Sequence, residues 1–164
     1  MAALAAGRMA PAISLKDTHG KMASLADALK NGPVLVAFFK VSCPTCQFTF
    51  PFLQRMYELY GGANVTFWGV SQNGAEDTSE FMLEFGTKFR VLIDDRGYPA
   101  SNAYGLTNVP SIFWIAQDGK IEAASVGFQR SDLEKIAADA AGATGKPFQT
   151  LFRPGEVIPD YKPG

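Results

Sequence analysis

The chain is poor in the residues that build metal sites and disulfide frameworks: its 164 residues include only two cysteines and one histidine. A structural zinc site takes about four Cys or His ligands, and beyond Cys43 and Cys46 only His19 is left to supply one. The net charge of -1 gives no excess of either sign, so neither nucleic acid nor an anionic membrane surface is an expected partner. No apolar stretch approaches the length needed to span a bilayer. The opening Met1 to Arg8 lacks a basic leader and a long apolar core, so it does not read as an intact secretion signal; it is compatible with the remnant of a trimmed one. With no cysteine left over for structural bridges, a reducing cytoplasm fits better than an oxidising compartment. A removed signal would place the chain in the periplasm instead. What the chain does have is apolar material, 47% of its residues, enough for one sizeable core.

Both cysteines stand in one stretch, Cys43-Pro44-Thr45-Cys46, where an apolar run gives way to a helical pattern. The run Val34 to Phe39 is unbroken, β-branched and aromatic, as in a strand buried on both faces. After it, Phe48, Phe52, Leu53, Met56, Leu59 and Tyr60 recur at helical spacing until Gly61-Gly62. Cys43 then falls at the helix N-cap, Pro44 at the first helical position and Cys46 one turn in. Unpaired N–H groups and the positive end of the helix dipole favour an anion at Cys43 and raise its thiolate fraction. Cys43 is therefore the expected nucleophile, and Cys46 the thiol that resolves a mixed disulfide. A structural staple is a poorer reading, because bridging residues three apart removes little loop entropy from the unfolded chain. Two ordinary buried thiols are the remaining alternative.

The other segments read as alternating strands and helices. Residues 9–27 suggest a small hairpin about Thr18-His19-Gly20, then a helical turn from Ser24 to Leu29. His19 is explained by turn polarity better than by catalysis. Pro51 interrupts the cysteine helix without ending its apolar spacing, which predicts one kinked helix. Val65 to Val70 is a second buried strand. Asp77-Thr-Ser-Glu80 has capping-box spacing before a helix stopped by Gly86, and Ser131-Asp-Leu-Glu134 before one stopped by Gly142. Phe89 to Ile93 is a third strand, and Ala100 to Tyr104 a short helix. Val109 to Ala116 and Ile121 to Val126 form a hairpin about Gln117-Asp118-Gly119-Lys120. From Lys146 the prolines and glycines make an extended tail without helical period. Its phenylalanines suggest that it folds back on the body, the alternative being a partner-binding arm.

In this order the segments resemble the thioredoxin superfamily, in its redoxin or TlpA/ResA-like branch. The resemblance rests on Gly20-Lys21 with Ser24-Leu25, Cys43-Pro44-Thr45-Cys46 followed by Pro51, Val109-Pro110 before a strand, and Asp118-Gly119-Lys120. It implies an α/β chain with a thioredoxin-like fold: a central mixed sheet flanked by helices on both faces, an N-terminal hairpin and an extended C-terminal tail. Residues 1–145 would form the redoxin domain and 146–164 a tail packed on it. The family's proline matching Pro110 follows a cis bond and faces the cysteines. Val109 would then pair main-chain groups with an extended substrate segment, and Pro44 and Thr45 would complete that contact surface. The implied activity is dithiol-disulfide exchange with protein substrates and a redox-recycling partner, without metal or organic cofactor.

The chain departs from the family pattern at two acids. Thioredoxin places a buried acid six residues before the first cysteine, where this chain has Ala37, and the TlpA/ResA branch often has a glutamate three after the second, where it has Thr49. Water, Lys40 or Glu76 would have to take the proton of Cys46. A peroxiredoxin is the main rival, but a peroxidatic Cys46 would need a threonine at Cys43 and an arginine near Val109-Pro110 to polarise the peroxide. A redox-sensing or binding module using the Val109 groove is a third reading.

Overall fold

The structure is a computed structural model and describes residues 3–164. Met1 and Ala2, part of the stretch weighed as a leader, lie outside the described residues. Two short strands, β1 (Ser14–Lys16) and β2 (Met22–Ser24), pair antiparallel. Asp17 makes the turn between them, its carboxylate accepting the His19 and Lys21 amides. Ser24 then caps α1 (Leu25–Leu29), its hydroxyl oxygen accepting the Asp27 amide at 3.2 Å.

β3 (Val34–Phe39) is buried at every position. Successive side chains point to opposite faces of a strand, so the run divides. Leu35, Ala37 and Phe39 join one core with α2 (Pro44–Tyr60), while Val34, Val36 and Phe38 join a second on the other face. That division is why an unbroken apolar run, rather than an alternating one, occupies the centre of the sheet. α2 continues through Pro51, whose missing N–H removes one backbone bond. β4 (Thr66–Ser71), α3 (Ala75–Phe85), β5 (Arg90–Ile93) and α4 (Pro99–Ala103) follow. The chain then returns through β6 (Ser111–Ile115) and β7 (Ile121–Val126). The sheet order is β5-β4-β3-β6-β7, with β3, β4 and β5 parallel and β6 and β7 antiparallel to their neighbours. Phe50, Phe81 and Ile136 carry helices onto the first core, Leu25 and Ala100 onto the second. This is the mixed sheet covered on both faces that the order of segments implied.

Several helix boundaries differ from the sequence reading, those of α3 and α5 the most. α3 starts at Ala75 with Gly74 as its N-cap, not at an Asp77 cap, because the Thr78 hydroxyl turns inward to the Ser71 hydroxyl at 2.7 Å. After β8 (Phe128–Gln129), α5 (Arg130–Thr144) starts one residue before Ser131. Its first amide, on Arg130, is taken by the Asp160 carbonyl at 3.0 Å, so a distant partner does the work of a local cap. α5 also runs through Gly142 and stops at Gly145, which adopts φ 70.

The C-terminal stretch divides in two. Leu151 and Phe152 are 1% and 6% exposed, and the Phe152 ring lies 5.1 Å from that of Phe52. Arg55 on α2 holds the same part, donating to the Leu151 carbonyl at 2.9 Å and to both Glu156 oxygens at 2.8 and 2.7 Å. Beyond it Val157 is exposed, and β9 (Tyr161–Lys162) pairs antiparallel with β8.

Candidate active site

The chain leaves β3 through a turn at Lys40 to Ser42 that other side chains hold in place. Asn73 accepts the Val41 amide at 3.0 Å, and the Gln47 side-chain amide donates to the Val41 carbonyl at 2.9 Å. The turn delivers Cys43 to the N-cap of α2 in an extended conformation, with Pro44 as the first helical residue. There the Cys43 sulfur accepts the Cys46 amide at 3.1 Å. It does what a Ser or Asp oxygen does at other helix starts, and it collects the positive end of the helix dipole.

The two sulfurs sit in different surroundings. Cys43 is half-buried, whereas Cys46 is fully enclosed. Burial pushes the Cys46 thiol well above its ordinary range, and the Cys43 sulfur beside it adds to the shift, while the Lys40 and Cys46 backbones oppose it. Among the described residues no carboxylate, imidazole or amine is hydrogen-bonded to Cys46. Ala37 lies in the core, and the Thr49 hydroxyl donates to the Thr45 carbonyl at 2.6 Å. Lys40 and Glu76 are exposed. His19 belongs to the β1–β2 turn.

Facing Cys43 is the loop before β6. The Val109–Pro110 bond is cis, and the Cys43 thiol donates to the Val109 carbonyl at 3.5 Å. The Pro110 carbonyl accepts the Gly127 amide at 2.8 Å, which ties the loop to the corner before β8. Thr45 is buried and its hydroxyl donates to the Pro163 carbonyl at 2.6 Å. Cys43, Thr45, Cys46, Val109 and Pro110 therefore stand together, with Pro44 exposed at the rim. A cleft of about 240 Å³ lined by Lys40, Gln72, Tyr98 and Ser101 reaches Val109 from one side. A larger one of about 580 Å³, between β1 and the turn at Asp95, includes neither cysteine. Sequence reasoning missed Pro163, Gly127 and the Phe48 ring, over which the Lys162 ammonium stands at 4.8 Å from the centroid. No local signal marks contacts that far apart in the chain.

A sulfur pair at a strand-to-helix turn, set against a cis-proline loop on this mixed sheet, defines a thioredoxin-like protein. The chain belongs to the redoxin family, whose model matches residues 5–141. The thiol-disulfide oxidoreductase ResA of Geobacillus thermodenitrificans is 30% identical over 121 residues, 73% of this chain and 68% of that protein. ResA of Bacillus anthracis is 28% identical over 127 residues, covering 77% of this chain and 72% of its own length. Among solved structures, the thioredoxin domain of a thiol-disulfide oxidoreductase from Bacteroides vulgatus superposes with a TM-score of 0.73 at 28% identity, covering 83% of this chain and 97% of that one. With the Cys43/Cys46 pair, these relatives make the chain a thiol-disulfide oxidoreductase of the TlpA/ResA-like kind. Among the described residues no helix is long and apolar enough to cross a membrane.

Proposed function

We propose that Cys43 is the attacking sulfur and Cys46 the resolving one in disulfide exchange with protein partners held along Val109-Pro110, Pro44 and Thr45. The observation that carries this is the contrast at the mouth of α2: one sulfur accepts an amide and faces the loop, the other is sealed beneath it. The Cys43 thiolate attacks one sulfur of the partner's disulfide; that bond breaks, and the second partner sulfur leaves as a thiolate and takes a proton from solvent. Cys46 then gives up its proton to water and attacks the Cys43 sulfur. The mixed disulfide breaks, and the first partner sulfur leaves and is protonated in turn. Two electrons and two protons have moved, the partner is a dithiol and this chain a disulfide, which a second dithiol protein resets by the reverse exchange.

Peroxide reduction has less support, because Cys46, the candidate peroxidatic cysteine, is fully enclosed and among the described residues no arginine is hydrogen-bonded to it. The same reading treats residues 1–145 as the exchange domain and 146–164 as an appendage. It places the chain in a reducing compartment, where a pair with no structural duty stays available. Trapping tests the roles: Cys46→Ser should accumulate covalent adducts with partner proteins that dithiothreitol releases, and Cys43→Ser should form none. The opposite pattern would reverse the assignment.

A further inference from the structure

Residues 160–164 lie across the surface at which, on the reading above, a partner's disulfide segment docks. The Asp160 carbonyl takes the Arg130 amide, and Lys162 pairs opposite Phe128 in a ladder antiparallel to β8. Lys162 extends its ammonium over the Phe48 ring. The Pro163 carbonyl accepts the Thr45 hydroxyl between the two cysteines. Gly164 rests against the Val109 carbonyl so closely that a Cβ there would run into the oxygen, the same oxygen that faces the Cys43 sulfur. The opposite wall is glycine as well: Gly127 has φ +73, and a Cβ on it would sit 2.6 Å from the Lys162 carbonyl oxygen. An extended backbone paired to a strand edge, with one side chain on an aromatic platform, is how a peptide is recognised by strand addition.

The hold on this segment is slight. Its attachments are the Asp160–Arg130 backbone bond, a two-residue ladder, one hydroxyl bond, one cation over a ring and the contact of Gly164 with Val109, all beyond the Arg55–Glu156 anchor and the exposed Val157. We propose that residues 160–164 are an autoinhibitory strap, an internal stand-in for the partner segment, which lifts from β8 and Thr45 before a protein disulfide reaches Cys43. The strap also states what the groove reads: an extended backbone along β8, a cation over Phe48 and a carbonyl for Thr45. A strap closed nine-tenths of the time lowers apparent affinity for its competitor about tenfold. A small disulfide that needs no groove escapes most of that effect.

The test compares the full chain with one lacking residues 161–164, which keeps Leu151, Phe152 and Glu156, on insulin and on hydroxyethyl disulfide. Deletion should lower the KM for insulin about tenfold at unchanged kcat, as expected for release of a competing occupant, and leave hydroxyethyl disulfide reduction within about twofold. A peptide copying residues 160–164, added to the shortened chain, should raise that KM again. Lys162→Glu in the full chain, which removes the cation from the Phe48 ring, should lower the insulin KM as the deletion does but by less, and this variant carries the test if the deletion perturbs folding. An unchanged insulin KM in a folded shortened chain, or in Lys162→Glu where that chain does not fold, overturns the strap. Failure of the full and the shortened chain to reduce either disulfide would instead overturn the exchange reading on which the strap rests.

Discussion

The mouth of α2 and the stretch from Lys146 to Gly164 flank the same surface, and they are built by opposite means. Cys43 hydrogen-bonds Lys40, Cys46 and Gln47, all within four positions of it, and reaches out only to Val109. In the C-terminal stretch, Gln149 answers to Tyr60, Glu156 to Arg55 and Pro163 to Thr45, across 89, 101 and 118 positions. A reactive sulfur needs only a helix start and its amides, which one short segment supplies. Control of access to it needs surfaces that the whole fold must first bring together. The two regions should therefore fail independently, and that independence can be probed.

The largest effect expected is at the mouth. Cys43→Ser should abolish disulfide reduction, a loss beyond about a thousandfold as for other nucleophile deletions, while leaving the denaturation midpoint near that of the unaltered chain. A comparable loss of stability would mean that the two regions are coupled. Phe152→Ala is the converse. Its ring is nearly enclosed between Phe52 and Phe128, and truncation of such a ring costs about 3 kcal/mol, read by urea unfolding. Reduction of hydroxyethyl disulfide below the unfolding range should be close to normal.

A third effect sharpens the chemistry. Cys46 must lose a proton to resolve the mixed disulfide, and burial holds its thiol above the ordinary range. Resolution of a preformed Cys43 adduct should therefore speed up about tenfold per pH unit through neutral and mildly alkaline pH. Rapid-quench mass spectrometry follows it, and a flat profile would reveal a proton acceptor beside Cys46. The smallest effect lies in the anchor. Arg55 holds the Glu156 carboxyl down to about 2, below its ordinary value, so whatever stability the pair contributes is present above the ordinary carboxylate range. It is lost as the pH falls through that range toward about 2. Hydrogen exchange of residues 151–157 should quicken over that interval, and Glu156→Gln should show the faster exchange already at neutral pH.

The same contrast decides what was legible in the sequence. β3, α1 and the start of α2 could be read because their signals are adjacent: an unbroken apolar run, a Ser24 cap, a proline after Cys43. Val109 and Pro110 came with the family resemblance rather than from their neighbours. The start of α3 was misread because the Asp77 pattern looks like a cap, while Thr78 is spent on Ser71 inside the fold. The Ser131 capping pattern puts the start of α5 two residues late because Asp160 supplies its first carbonyl partner, and Gly142 is not the stop because a helix tolerates an exposed glycine at modest cost. Phe48 reads as one more apolar position of α2 and Pro163 as one more proline of the tail, and nothing near them or Gly127 in the chain marks the contacts they make with one another's segments. Their roles exist only once residues 160–164 lie on β8.

The difference between the two sulfurs is open to direct measurement. Fully reduced protein is treated briefly with iodoacetamide at neutral pH and the labelled cysteine is identified by peptide mass spectrometry. The account predicts label on Cys43 and a protected Cys46 until the chain is unfolded. Faster labelling of Cys46, or equal labelling of both in the folded protein, would contradict it.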